Sequence, residues 1–340
     1  MGDVTRLPGE LSLLSAVVAS PADDVTKLVY ADWLEEHGDP RGPFLRRFVH
    51  AVQGGQELPG GDSIDSAWQE LAGLSLLRRL REGGLTADRD AVMALALPTL
   101  TFQAEPAAEE DIAVGVTKFG GRPDLPAGTL WPRCDRGPLE FLVQLDMAEF
   151  QDTCVGRSLP PGGLLSFFMY HNYSDDEYGN GRDWPPEDTG GLCVIHTLDT
   201  SALARLDPPD ELSADRGRPR KPCRVTFREG LDLPDPPDSE SDLASERYAV
   251  ALARLQQVPA PSSAPAPDQS RRDWHQLLGH SHVTVLCDDP TPGPQWRQLI
   301  GLASDDALGW GWGDGHRLFW YVKSDDLSRG RFGNTWATDG

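Results

Sequence analysis

Three histidines lie close together near the C-terminus, His275, His280 and His282, and three carboxylates stand where an apolar run gives way to a turn, Asp146, Asp305 and Asp306. Zinc held from one helix face needs imidazoles at i and i+4. The step from His275 to His280 is five residues and the chain has no HExxH motif, so no metal site is expected. His275 and Gln276 read instead as the start or cap of a short helix, with Leu277, Leu278 and Gly279 packing behind. Adjacent carboxylates such as Asp305 and Asp306 can share a proton or bind Ca²⁺, but their neighbourhood supplies no further ligands. Asp146 followed by Glu149 has the spacing of a capping box. There is no GxSxG elbow, and no cysteine has an activating context. Asp146, Asp305 and Asp306 thus stay the catalytic candidates of a hydrolase acting on a small molecule or glycan, with no cofactor implied; glycosidase-type carboxylate spacing is visible only in a fold.

Binding chemistry is better represented. The stretch GWGWGDG places Trp310 and Trp312 between glycines, near Phe319, Trp320 and Tyr321, and Trp131 follows another Gly/Pro-rich stretch. Such a cluster either lines a cleft for a peptide or sugar, with Asp314 and His316 at its rim, or packs a core. Trp320 belongs to the core. Trp131, His275, Gln276, Trp310, Trp312 and Asp314 are the candidate binding set.

Two strand pairs must carry these residues. In GPLEFLVQLDMAEF the residues Leu139, Phe141, Val143 and Leu145 alternate with Glu140, Gln144 and Asp146, as in a half-buried strand. Gly163 to Tyr170 is apolar on both faces, as a central strand would be. WRQLIGLASDD and GHRLFWYVKSDDL repeat that pairing, with Gly315 before the aromatic strand as Gly163 stands before Phe167 and Phe168. The repeat leaves an internal duplication open.

Composition sets the outer bounds. The 340 residues carry 31 Lys and Arg against 53 Asp and Glu, a formal charge of −22, which argues against nucleic acid and against an anionic membrane surface as partners. Five singly scattered cysteines, Cys134, Cys154, Cys193, Cys223 and Cys287, predict free thiols in a reducing cytosol. Neither a signal peptide nor a membrane-spanning run is read, so a cytoplasmic protein is expected.

In chain order, Leu11 to Ala19 has helical spacing. A second helix should start at Asp23 or Asp24 and end at His37 with Gly38 as a left-handed stop, burying Val25, Leu28, Val29 and Trp33. A third, Pro43 to Val52, should bury Phe44, Leu45, Phe48 and Val49. LVYADWLEE followed by GDPRG, within residues 11 to 52, resembles the repeat-companion domain that recurs in planctomycete proteins. That resemblance implies a docking or scaffolding role rather than catalysis, with Asp32, Glu35 and Glu36 either a docking face or a solvated helix side. Ile64 to Arg81, its end supported by Arg78, Arg79 and Arg81, and Ala87 to Leu97 read as further helices, and the pattern turns to strand at Thr99.

Lys118 to Pro132, KFGGRPDLPAGTLWP, reads as an ordered Gly/Pro-rich loop with left-handed backbone at Gly120 and Gly121; it lacks the arrangement of a phosphate-binding loop. This stretch, LEFLVQLD, LPPGGLLSFF, HQLLGH and FWYVKSDDL resemble in order the YwqG-like bacterial family of unknown function over residues 97 to 339. The resemblance implies an α+β domain with an internally related, mostly antiparallel sheet, and an immunity or partner-binding role without an assigned reaction. Residues 174–190, 206–241 and 258–269 read as Pro/Gly-rich insertions. Within the second, a basic run from Arg216 to Arg228 and the acidic run after Asp232 either pair with each other or form a partner-binding arm. Ala244 to Val258 should be a helix.

The fold class expected is therefore α+β: a small N-terminal helical domain, residues 1–97, followed by a larger, mostly antiparallel β-rich domain, residues 98–340. The function expected is a non-enzymatic module, protein-binding or immunity-like, whose partner is another protein.

Overall fold

Asp23 sits in extended backbone and its carboxylate accepts from the Val25 N–H at 2.8 Å, capping a helix as its residue type favours. The computed structural model describes residues 6–170, 191–214, 220–235, 250–255, 274–282, 291–312 and 315–339. They divide into two compact units, residues 1–99 with 228–270 and residues 100–227 with 271–340.

The first unit begins with α1 (Leu11–Ala19), α2 (Asp24–Glu36) and α3 (Arg41–Gln53). The stop after α2 is Gly38, with φ +68°. Arg41 donates to Glu10 at 2.8 and 2.9 Å and to Asp39 at 2.8 Å. The Tyr30 hydroxyl donates to Glu10 and accepts from Trp68 Nε1 at 3.0 Å. A Cβ on Gly42 would lie 2.7 Å from the Glu35 nitrogen and 2.9 Å from the Ala31 oxygen, so only glycine lets α3 approach α2 this closely. Much of the LVYADWLEE and GDPRG motif therefore serves packing: Tyr30, Asp39 and Arg41 form a buried polar knot around Glu10.

The buried stripe of α2 differs from the expected one. It runs through Lys27, Tyr30, Ala31 and Leu34, while Val25 and Val29 are 68% and 51% exposed. Lys27 is the reason, since its stem is covered and its ammonium donates to the Pro21 carbonyl, whereas polarity alone would place it outside. Burial pushes the Lys27 ammonium down to about 8. Arg46 bridges Asp32 and Glu35 on the outer side. The expected helix from Ile64 is broken into α4 (Ser66–Leu71) and α5 (Leu74–Glu82) by Gly73 at φ +76°. Arg78, Arg79 and Arg81 reach the carbonyls of Pro59, Leu255 and Gly55. After α6 (Arg89–Ala94) the strand starts at Leu97. Residues 250–255 are helical, with Leu252 and Leu255 buried; the rest of the expected 244–258 helix lies outside the described residues.

Among the described residues fourteen strands follow: β1 (Leu97–Pro106), β2 (Lys118–Phe119), β3 (Asp124–Pro126), β4 (Arg133–Cys134), β5 (Gly137–Pro138), β6 (Glu140–Asp146), β7 (Leu164–Met169), β8 (Leu192–Thr197), β9 (Leu203–Arg205), β10 (Cys223–Asp232), β11 (His275–Leu278), β12 (Trp296–Ala303), β13 (Arg317–Lys323) and β14 (Thr335–Asp339). Ten of them form one sheet in the order β14-β13-β12-β11-β1-β10-β2-β6-β7-β8, and its edge strands β14 and β8 approach each other, so the sheet nearly closes. The remainder make two ribbons, β3-β9 and β4-β5.

Read outward from β1 and β10, the two halves have one order. β2, β6, β7 and β8 on one side match β11, β12, β13 and β14 on the other. The bulge between Phe141 and Val143 in β6 matches that between Gln298 and Ile300 in β12. Val143 faces Phe167 as Ile300 faces Trp320, and the Phe167 and Trp320 rings meet edge-on at 5.5 Å in the shared core. Gly120 and Gly121 have φ +64° and +70°; the matching residues, Leu278 and Gly279, have +58° and +83°. The expected relation between the strand pairs is thus a structural repeat across the whole sheet.

Several expectations change. β6 is buried on both faces, because the bulge turns Leu139 and Phe141 to one cluster and Val143 and Leu145 to another. The stretch from Lys118 is not loop throughout, since β2 and β3 lie within it. The segment 206–241, read as an insertion, contains β10, a strand at the sheet's centre; Val225 and Phe227 pack against the main core, and the flanking prolines hid this alternation. Residues 174–190 and 258–269 lie outside the described residues.

Candidate functional site

β11 delivers His275 as a strand residue, correcting the expected helix start; four residues, HQLL, are too few to show a period. β12 ends at Ala303, and the chain turns so that Asp305 and Trp310 exchange backbone hydrogen bonds at 3.0 and 2.9 Å. The turn presses the Asp305 carboxylate onto His275. Imidazole Nδ1 accepts from the Ala303 N–H at 3.1 Å, so the ring proton is on Nε2, which donates to Asp305 Oδ2 at 3.1 Å. Asp305 Oδ1 accepts from the Ala307 N–H at 2.7 Å.

Burial lowers the His275 pKa and outweighs the opposing pull of Asp305. The hydrogen bond from His275 holds the Asp305 carboxyl below its usual range, against burial. The pair is a neutral imidazole beside a carboxylate. The buried Cys223 thiol is pushed up to about 11 by burial and then by the Asp305 charge, so at neutral pH it stays a thiol.

Trp310 and Trp312 are buried in the main core. Trp310 stacks on Phe119 at 5.9 Å and meets His275 edge-on at 5.4 Å. Trp312 donates from Nε1 to the Ala303 oxygen at 3.2 Å, and the Arg220 guanidinium lies 5.8 Å over its ring. Of the two roles open to the glycine-flanked tryptophans, packing is the one they occupy. Arg220 also ties the turn down, donating to the Gly309 oxygen at 2.9 Å while paired with Glu140 at 2.8 Å. Of the basic run, Arg220 thus pairs with Glu140, outside the acidic run, and Arg228 meets Glu70 at 3.4 Å.

The other candidates stand apart. Asp146 accepts from the Ala148 N–H at 3.0 Å, whereas Glu149 accepts from the Thr117 N–H at 3.0 Å, so only half of the expected capping box forms. Asp306 is exposed and Gln276 is buried. Trp131 donates to the Leu139 oxygen at 2.7 Å and abuts Phe168. Asp314 lies outside the described residues. Among the described residues no group of three or more His, Cys, Asp or Glu is placed to hold a metal ion.

A second polar cluster escaped the sequence reading. Lys118, fully buried, lies 2.7 Å from Glu109 and 3.8 Å from Asp124. Arg205 holds Asp124 at 2.9 Å and Glu109 at 3.1 Å, and Gln144 donates to Asp124 at 2.8 Å. Burial would raise Asp124, but hydrogen bonds from Arg205, the Gly115 N–H and Gln144 hold it low. Burial dominates at Lys118 and lowers its pKa despite Glu109 and Asp124. Lys118 and Asp124 straddling a glycine pair was the only available signal; Arg205, far along the chain, gave none.

These geometries define a nearly closed antiparallel β domain whose candidate catalytic dyad is sealed on both nitrogens. The chain belongs to the family described as a domain of unknown function, DUF1963, whose profile matches residues 117–339. No curated protein matches it. Among the described residues no helix is long and apolar enough to cross a membrane.

Proposed function

We propose that this chain is a cytoplasmic, non-enzymatic module that binds another protein. The observation that carries the reading is the commitment of both His275 nitrogens, one to the Ala303 N–H and one to Asp305. A general base needs a lone pair within reach of a substrate proton, and His275 spends its own inside the fold. Trp310 and Trp312, buried beside it, likewise serve the scaffold. The resemblance of residues 28–42 to the repeat-companion domain and of the β-rich part to the YwqG-like family, with its partner-binding or immunity-like expectation, supports the same reading.

The test uses the full chain immobilised in an extract of its own cells, with retained proteins quantified. One partner held at equal stoichiometry is the expected outcome. Empty retention, joined to turnover of an ester or glycoside panel that Asp305→Asn abolishes, would replace the module by a hydrolase.

A further inference from the structure

We propose that the open edge of β9 docks an extended segment of a partner protein in which aliphatic residues alternate with lysine or arginine. This rests on the reading of a binding module and names its surface. Among the described residues β9 pairs only with β3, in the register Asp124 with Arg205, Leu125 with Ala204 and Pro126 with Leu203. The Leu206 N–H donates to the Pro123 oxygen at 2.9 Å, which fixes the alternation of the ladder. Ala204 and Leu125 form a hydrogen-bonded pair, so Leu203 and Arg205 turn their N–H and C=O groups away from β3. Among the described residues no strand lies along that side. Two donors and two acceptors at strand spacing are what an added strand uses.

The edge is rigid and apolar at one end. Arg205 is clamped to Asp124 and Glu109, and its Nη2 donates to the Ile112 oxygen at 3.0 Å. The exposed large hydrophobic residues described in this unit are Leu130 at 88%, Leu198 at 75% and Val114 at 51%, each in a segment that leads into or out of the ribbon or touches it. Leu198 opens the loop that enters β9 at Leu203. Leu130 follows the turn that leaves β3 at Pro126, the residue opposite Leu203. Val114 precedes Gly115, whose added Cβ would sit 3.3 Å from Leu203 Cδ1. Aliphatic exposure in the segments that adjoin an unpaired edge is a feature that soluble proteins avoid without a use.

Charge selects the occupant. Glu110 and Asp111, in the segment whose carbonyls Arg205 holds, and Asp199, in the loop that enters β9, are exposed and carry no side-chain ion pair among the described residues. Of the nearby cations Arg122 is paired with Asp207 at 2.6 Å, and Arg224 donates to the Asp111 backbone carbonyl, one positive charge against these three carboxylates. The residual field is negative, and a second copy of a chain of charge −22 would be repelled. A basic, aliphatic, extended segment satisfies the edge, the apolar residues and the field together.

The full chain is titrated into three labelled peptides and followed by fluorescence anisotropy. One alternates leucine and lysine, one leucine and glutamate, and the third is the leucine–lysine peptide N-methylated along its pairing edge. The first should bind about tenfold or more tighter than either other, the equivalent of losing one or two net hydrogen bonds. Leu203→Pro, which removes an outward N–H outside the β3 ladder, should cost a similar factor with the circular dichroism spectrum retained. Leu198→Asp, outside the strand, serves if that variant misfolds. Equal binding of the N-methylated peptide, or none of the leucine–lysine peptide, overturns the proposal. A native partner that Leu203→Pro and Leu198→Asp still capture at full stoichiometry overturns the docking edge and leaves the binding module standing; capture of no partner by the unaltered chain removes both.

Discussion

Lys118 and Gln276 occupy the same place in the two halves of the sheet, beside Phe119 in one and Leu277 in the other, facing Gln144 and Gly301. The first half builds on this position a buried cluster of charges, Lys118, Asp124, Glu109 and Arg205. The second half covers its corresponding face with rings, Trp296, Phe319, Tyr321 and Trp336. What the halves share is backbone: strand order, one bulge, and two successive left-handed residues after the short strand. Repetition here constrains the path of the chain and leaves the chemistry of each face free. Leu278 shows how strong the backbone demand is, since a non-glycine residue in that conformation costs about 1–2 kcal/mol, yet Leu278 adopts φ +58° and fills the core.

Asp124→Ala should break the comparison most forcefully. It strips the shared carboxylate from a fully buried Lys118 and from Arg205, and removal of one partner from a buried ionic cluster costs about 3–5 kcal/mol. Gln276→Ala, at the place of Lys118 in the other half, should cost about 1 kcal/mol. Equal losses in urea unfolding would show that the charge cluster adds nothing beyond packing. Gly120→Ala comes next. Its Cβ would run into the Lys221 carbonyl in a left-handed backbone, so the expected cost is about 2 kcal/mol or more. A loss well below that would mean that the first half tolerates a side chain there as readily as the second tolerates Leu278.

The strand pairs were legible because their signal is local: alternation, a leading glycine and an aromatic run. Trp320 packs in the core as read, joined there by Leu318 and Val322, while Phe319 and Tyr321 on the opposite face pack in a second buried cluster. The helices around the LVYADWLEE motif were legible for the same reason, through the Asp23 cap and the Gly38 stop. What failed depends on distant partners. Lys27 is inside because the Pro21 carbonyl receives it, and β10 is central because β1 and β2 flank it, although its own stretch has the composition of an insertion. His275 and Asp305, thirty residues apart, were both singled out, yet nothing in their spacing announced that they touch. Arg205 and Asp124 gave still less, since an arginine and an aspartate are ordinary surface residues until a fold buries them.

His275 sharpens the comparison through pH. Its folded pKa lies below the ordinary 6.5, so its contribution is present above 6.5 and is lost as pH falls through the folded value, because the unfolded chain takes the proton more readily. Asp124 and Asp305 lie below the ordinary 3.8; their stabilisation is present above 3.8 and is lost as pH falls further. Acid unfolding should therefore begin with the second half and reach the charge cluster of the first only below about pH 4. His275→Ala, costing about 1–3 kcal/mol through the Ala303 N–H and Asp305 left behind, should erase the slope beginning near 6.5 and keep the lower one. An unchanged slope would place its origin elsewhere.

Ser166 offers the smallest and most exacting test. It pairs in register with Gln144 as Phe319 pairs with Gly301, so one half places a hydroxyl where the other places a ring. Gln144 spends its amide on Asp124 and the Val116 carbonyl, and the buried Ser166 hydroxyl has no hydrogen-bond partner among the described residues. A buried polar group without a partner is a cost rather than a support. Ser166→Ala should leave stability unchanged or raise it by up to about 1 kcal/mol, which thermal unfolding at pH 7 would resolve. A loss of that size would instead mean that the hydroxyl is held by the charge cluster beside it, and that the first half's polar face extends one strand further from β6 into β7.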